Sequence, residues 1–207
     1  AVNMDYTDVE DPSLFFTLRA RNDHNEVKEN DNVLVWTTTP WCIPGNLARA
    51  VGEDITYVRV KIDNEYYWIA ENLISELSNY EYTLVGEAAG VDLIGAEYKP
   101  AYNEFEEEHQ NGAFRIIHSD DTNTESGSGL VSQAPAYGES DFYALKQAGI
   151  EAIVDPVTLS GKFDNSVKGI EGMNVKDADK IIIGQLKERG SLFSQKTEMH
   201  SYPFCWR

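Results

Sequence analysis

The chain has 207 residues, of which 42% are hydrophobic and 11% aromatic, so it is long and apolar enough to bury a real core and is not generally disordered. Thirty-five Asp and Glu against 17 Lys and Arg give a formal charge of −18, which favours solubility and argues against tight autonomous binding to a nucleic-acid backbone. No uncharged apolar run approaches the ~20 residues that a membrane span needs.

The start, Ala1-Val2-Asn3, carries neither a basic n-region nor an apolar h-region, so no signal peptide is expected, and the missing initiator Met suggests a fragment or a processed chain. Val33 to Thr39 is a β-branched and aromatic run that reads as a strand. Thr56 to Ile62 alternates, turns at Asp63-Asn64 and continues through Tyr66-Tyr67-Trp68-Ile69, the pattern of a hairpin. A short helix is expected over Glu71 to Leu77. Further strands are expected at Tyr82–Glu87, Phe114–His118, Leu130–Gln133 and Glu151–Val154. Glu104 to Glu108 sets four carboxylates around Phe105 and reads as a solvated face, and Asp120 to Gly129 is a polar, glycine-containing loop. Two longer helices are expected. One runs from Ser140 to Ala148, with Phe142 and Leu145 on one face and Gly149 to end it. The other runs from Lys176 to Arg189, with Ala178, Ile181, Ile182 and Leu186 as a core stripe and Gly190 beyond. Many short strands with few helices point to a mainly β fold with α elements: a closed or nearly closed β-barrel core with peripheral helices.

Cys42 and Cys205 are far apart and have no ligand spacing, so no metal site is expected and reduced thiols are the simplest reading. His24, His109, His118 and His200 likewise show no ligand spacing. The most specific stretch is Trp36-Thr37-Thr38-Thr39-Pro40-Trp41-Cys42-Ile43-Pro44-Gly45-Asn46. Three threonines end a strand where Pro40 can donate nothing to a ladder, which exposes hydroxyls at a turn. Pro44-Gly45-Asn46 makes a second turn, and the Asn46 amide both donates and accepts. Threonines suit strands and Pro-Gly suits turns in any protein, so this stretch alone does not separate a site from a scaffold.

The stretch resembles the threonine-rich peptide W-T-T-T-P-W-T-L-P-x-N of isoleucyl-tRNA synthetases, departing at Cys42 and Ile43. The valyl and leucyl relatives have an arginine after two threonines, and Thr39 fits the isoleucyl branch. Gly127 to Phe142 resembles the family's G-T-G-I-V-H-x-A-P-x-x-G-E-x-D-Y, and Gly161-Lys162-Phe163 through Asp177-Ala178 is a third match. Asp11-Pro12-Ser13-Leu14 and His200 to Arg207, similar to the eukaryotic-type ending, resemble the entry and return of an insertion in the synthetic core. The resemblance thus implies a single editing domain over 1–207, in which about 1–12 and 200–207 are connections.

It also implies a task. A synthetic site cannot strongly reject an amino acid one methylene smaller, and the standard illustration of this limit is the isoleucyl enzyme choosing between isoleucine and valine. A second pocket admits valine and hydrolyses valyl-tRNA(Ile), and valyl-adenylate with it. By the motif, Asp141 anchors the substrate ammonium, a charge-assisted contact. A carboxylate in a first helical turn is equally what a macrodipole favours. Thr37, Thr38 and Thr39 line the pocket and position water or the ester. Trp36 and Trp41 pack beneath the loop or contact substrate, Asn46 braces the turn or positions substrate, and Ser132 stands where the family has a histidine that walls off isoleucine. The wall is then rebuilt by another side chain, or the preference is looser, or editing is weakened. The implied partners are the tRNA(Ile) acceptor end carrying valine and the remainder of the synthetase, with no membrane, in a cytoplasmic monomer. No cofactor is implied for this domain; ATP and Mg serve only the synthetic core, whose ATP-binding signature this sequence lacks. Two other readings remain: a degenerate editing fold that only docks, and a Ser–His hydrolase pairing Ser132 with His118 or His200, which lacks the G-x-S-x-G elbow.

Overall fold

The computed structural model describes the backbone of residues 4–205 and the side chains of residues 12–197, in both cases except residue 123. In chain order the elements are β1 (Met4–Arg19), β2 (Asn32–Thr37), a 3-10 helix (Pro40–Gly45), β3 (Ala48–Val51), β4 (Thr56–Ile62), β5 (Glu65–Ala70), a 3-10 helix (Glu71–Leu77), β6 (Thr83–Ala89) and α1 (Gly90–Leu93). There follow a 3-10 helix (Asn103–Asn111), β7 (Arg115–His118), β8 (Val131–Gln133), α2 (Glu139–Gln147), α3 (Val175–Glu188) and β9 (Leu192–Cys205).

The strands form two open sheets, ordered β6-β4-β5-β2-β1-β9 and β7-β3-β8, rather than the expected barrel. The reason lies after β2. Pro40 and Pro44 remove two backbone donors, so the 3-10 turn cannot extend the ladder. The chain leaves the large sheet and re-forms as β3, whose two edges are taken by β7 and β8. The outer strands β6 and β9 therefore never meet. Pairing is antiparallel except β2 with β5 and β3 with β7.

The hairpin of β4 and β5 pairs from Tyr57↔Ala70 to Ile62↔Glu65, and Asp63 takes a positive φ of 53° at its turn. The expected strand at 151–154 does not form. Val154 is buried and Ile153 is 55% exposed, so the alternation is real, but no neighbouring strand pairs with the segment and Pro156 follows it. In α2 Leu145 is buried, whereas Phe142, expected on the same buried face, is 37% exposed. In α3 the stripe is Ala178, Ile182 and Leu186, and Ile181 is 40% exposed on its flank. Asn174 caps α3, its side chain accepting from the Lys176 N–H at 3.0 Å. The acidic 104–108 segment sits in a 3-10 helix with no buried residue. The segments expected to be connections pair with each other from Met4↔Cys205 inward; the side chains of His200 and Cys205 lie outside the described residues.

One polar cluster is buried within the large sheet. Asp31, 2% exposed, accepts from Arg59 at 2.8 and 2.7 Å and from the Trp68 indole at 3.0 Å. The Lys28 N–H also donates to it, at 3.0 Å, and the Arg59 guanidinium lies 3.9 Å from the centre of the Tyr66 ring.

Candidate functional site

The site begins where β2 ends. Thr37 Oγ1 accepts from the Thr39 N–H at 3.0 Å and lies 3.4 Å from the Thr39 hydroxyl, so the chain curls back on itself at the third threonine. The turn is closed by Cys42 N–H to Thr39 O at 3.0 Å and Asn46 N–H to Ile43 O at 3.2 Å. Gly45 is required here, because a Cβ would stand 2.8 Å from the Tyr137 ring. The Trp41 ring packs on Tyr137 at 5.1 Å, and its backbone N–H donates to Asp179 of α3 at 2.8 Å. Asn46 is buried and serves as a brace, its Nδ2 donating to Cys42 O at 2.6 Å while its Oδ1 accepts from Arg49 at 2.7 Å.

Trp36, Thr37 and Thr38 line a hollow of about 270 Å³ whose other wall is the 126–132 segment. Trp36 is held by its indole N–H donating to Ser13 Oγ at 2.8 Å. Two glycines let the opposite wall lie flush. A Cβ on Gly127 would stand 3.0 Å from the Trp36 ring, and one on Gly129 would stand 2.4 Å from Ala70 Cβ. Both also take positive φ, 80° and 74°. Ser132 ends this wall, in β8, opposite Arg49 of β3.

Asp141 sits in the first turn of α2, and its Oδ2 accepts from the Ala134 N–H at 2.8 Å. The carboxylate is therefore anchored to the residue that follows β8. Its charge is felt at Cys42. Burial pushes the Cys42 thiol up to about 11, the Thr39 hydroxyl opposes this, and the charges of Asp179 and Asp141 add to it. The structure thus brings Trp36, Thr37, Thr38 and Ser132 to one hollow. Thr39 and Asp141, also expected at the pocket, are not among its lining: Thr39 closes the turn, Asp141 is tied to Ala134, two residues beyond Ser132, and Trp41 and Asn46 brace the turn. Ser132 and His118 line separate hollows, and His118 Nε2 pairs with Asp120 at 3.0 Å, so that Ser–His pair is not assembled. His200, the other proposed partner, lies outside the described side chains. Among the described residues no group of three or more His, Cys, Asp or Glu could hold a metal, and no helix is long and apolar enough to cross a membrane.

Sequence reasoning missed Arg49 and Asp179. Both are charged residues in buried positions, 2% and 4% exposed, but only a fold reveals that burial.

No protein-family model matches the chain. It is 42% identical over 210 residues to the isoleucine--tRNA ligase of Bdellovibrio bacteriovorus, a match covering 99% of this chain and 19% of that protein. It is 39% identical over 213 residues to the cytoplasmic isoleucine--tRNA ligase of Mus musculus, covering 99% of this chain and 16% of that protein. The chain thus spans less than a fifth of the length of these curated relatives. In fold it is similar to the crystal structure of the P. knowlesi cytosolic leucyl-tRNA synthetase editing domain, with a TM-score of 0.65 at 10% identity, covering 92% of this chain and 96% of that one.

Proposed function

Because this chain corresponds to a single region of the isoleucine--tRNA ligase family and folds as leucyl-tRNA synthetase editing domains do, we propose that it proofreads for such a ligase by hydrolysing valyl-tRNA(Ile), and valyl-adenylate with it. The observation that carries the reading is the shared hollow of Thr37, Thr38 and Ser132, with the Asp141 carboxylate bonded to the Ala134 N–H, two residues beyond Ser132 in the chain. The substrate's ammonium is its one fixed positive handle on the amino-acid side, and Asp141 Oδ1, which takes only a 3.4 Å contact from the Ser140 hydroxyl, is the oxygen assigned to it. The Thr37 and Thr38 hydroxyls, able to donate and accept, orient water against the activated ester. The reaction is ester hydrolysis by positioned water, so the proposal assigns the domain no cofactor; ATP and Mg serve the synthetic core. Residues 1–207 act as one editing unit within the longer chain, in the cytoplasm, as the names of the mouse and yeast relatives suggest.

The test is deacylation of Val-tRNA(Ile) by the full-length ligase. Loss of deacylation in Asp141→Ala supports editing. An unchanged rate favours the second reading, a degenerate module that only docks the tRNA end or a neighbouring domain, to which the serine at position 132 lends weight.

A further inference from the structure

Arg49 is 2% exposed in β3, and among the described residues no carboxylate pairs with it. Taking a guanidinium out of water is costly, and a methionine or leucine would fill the same space without that cost. Burial accordingly pulls its pKa down, opposed only by Tyr98. The arginine lies 5.7 Å from the Phe16 ring centre and 5.8 Å from that of Tyr98, and its Nη1 donates to Asn46 Oδ1 at 2.7 Å and to Ala48 O at 3.3 Å.

The consequence lies in what each group is able to do. A guanidinium only donates, so the Asn46 oxygen must face it. That leaves the Asn46 NH₂ facing the Cys42 carbonyl, to which it donates at 2.6 Å. Without Arg49 the Cys42 carbonyl still selects the NH₂, but the buried Asn46 oxygen loses its donor and the amide is held at one end only. Cys42 belongs to the 3-10 turn that follows the three threonines, and Arg49 is also the cross-strand partner of Ser132. We propose that Arg49 is a positioning residue of the editing site: it fixes the Asn46 amide, which clamps the turn that presents Thr37 and Thr38 to the hollow. The catalytic part of this inference rests on the editing function proposed above; the mechanical part does not.

The test uses the full-length ligase with Arg49→Met, which keeps core volume, and Arg49→Lys, which keeps a donor for Asn46. Amide hydrogen exchange at Cys42 and Asn46 is expected to rise about 10-fold in Arg49→Met, with β4 unchanged and Arg49→Lys in between. Single-turnover deacylation of Val-tRNA(Ile) is expected to slow about 10-fold at unchanged KM, with no further loss when Arg49→Met is added to Asn46→Ala. Unchanged exchange in the turn overturns the proposal whatever the deacylation shows, as does Arg49→Lys behaving like Arg49→Met. A loosened turn with full deacylation, or additive losses in the double variant, overturns its catalytic part. A wild-type ligase that leaves Val-tRNA(Ile) intact sinks the editing function instead, and the exchange result still decides the role of Arg49.

Discussion

Asp141 Oδ2 accepts the Ala134 N–H at 2.8 Å, which ties the acid at the start of α2 to the end of the strand that carries Ser132. One carboxylate thus has a backbone bond on one oxygen and only the Ser140 hydroxyl, at 3.4 Å, on the other, and substitution separates the two roles. Asp141→Asn keeps an acceptor for Ala134 but loses the charge for the ammonium. A hydrogen bond to a charged group is worth about 1.5–3 kcal/mol, so deacylation of Val-tRNA(Ile) by the full-length ligase is expected to fall roughly 10- to 200-fold. Thermal unfolding of Asp141→Asn should match wild type, whereas Asp141→Ala also frees the Ala134 N–H. An Asn variant as active as wild type removes Asp141 from the ammonium site.

Ser132→His adds an imidazole to the end of a wall that now carries only a hydroxymethyl group. The added bulk narrows the hollow of about 270 Å³. Discrimination by a single methylene reaches about 10- to 200-fold. We expect the ratio of Val-tRNA to Ile-tRNA deacylation to rise by at least the lower figure, mainly through loss of Ile-tRNA hydrolysis. An unaltered ratio would mean that another side chain already sets the wall.

The Asp31–Arg59 pair supports the sheet from which the threonine strand emerges. Asp31→Ala leaves the Arg59 guanidinium, the Trp68 indole and the Lys28 N–H without their shared acceptor. Breaking a buried pair from one side costs about 3–5 kcal/mol. Urea unfolding of the chain should show a loss of unfolding free energy of that size, and a loss below about 1 kcal/mol would contradict the burial of Asp31.

Cys42 provides a pH-dependent readout of the turn. Burial is the main reason its thiol is pushed from an ordinary 9.0 up to about 11. The thiolate is the reactive form, so alkylation at pH 8 should run roughly 100-fold slower than for an unfolded cysteine of ordinary pKa. Because the folded state holds this proton more tightly, its contribution to stability is present below pH 9.0 and is lost as pH rises towards about 11. Rapid labelling of Cys42 at pH 8 in the folded chain would show that the turn opens.

The tryptophan- and threonine-rich stretch, the alternation in Thr56–Ile62 and the glycines that close α2 and α3 were all legible in the sequence, because each is a local statement about φ, side-chain period or donor count. The family resemblance reached further and placed Asp141 and Ser132 among the candidates before any geometry. What the sequence left undecided is non-local. Ala48-Arg49-Ala50-Val51 has weak strand chemistry and becomes β3 only because β7 and β8 supply both ladders. The choice between a closed barrel and two open sheets rested on which edges meet, and the two prolines after β2 settled it by sending the chain to a second sheet. The roles of Arg49, Asn46 and Asp179 depended on burial and partners contributed by distant segments, and these exist only once the chain has folded around them.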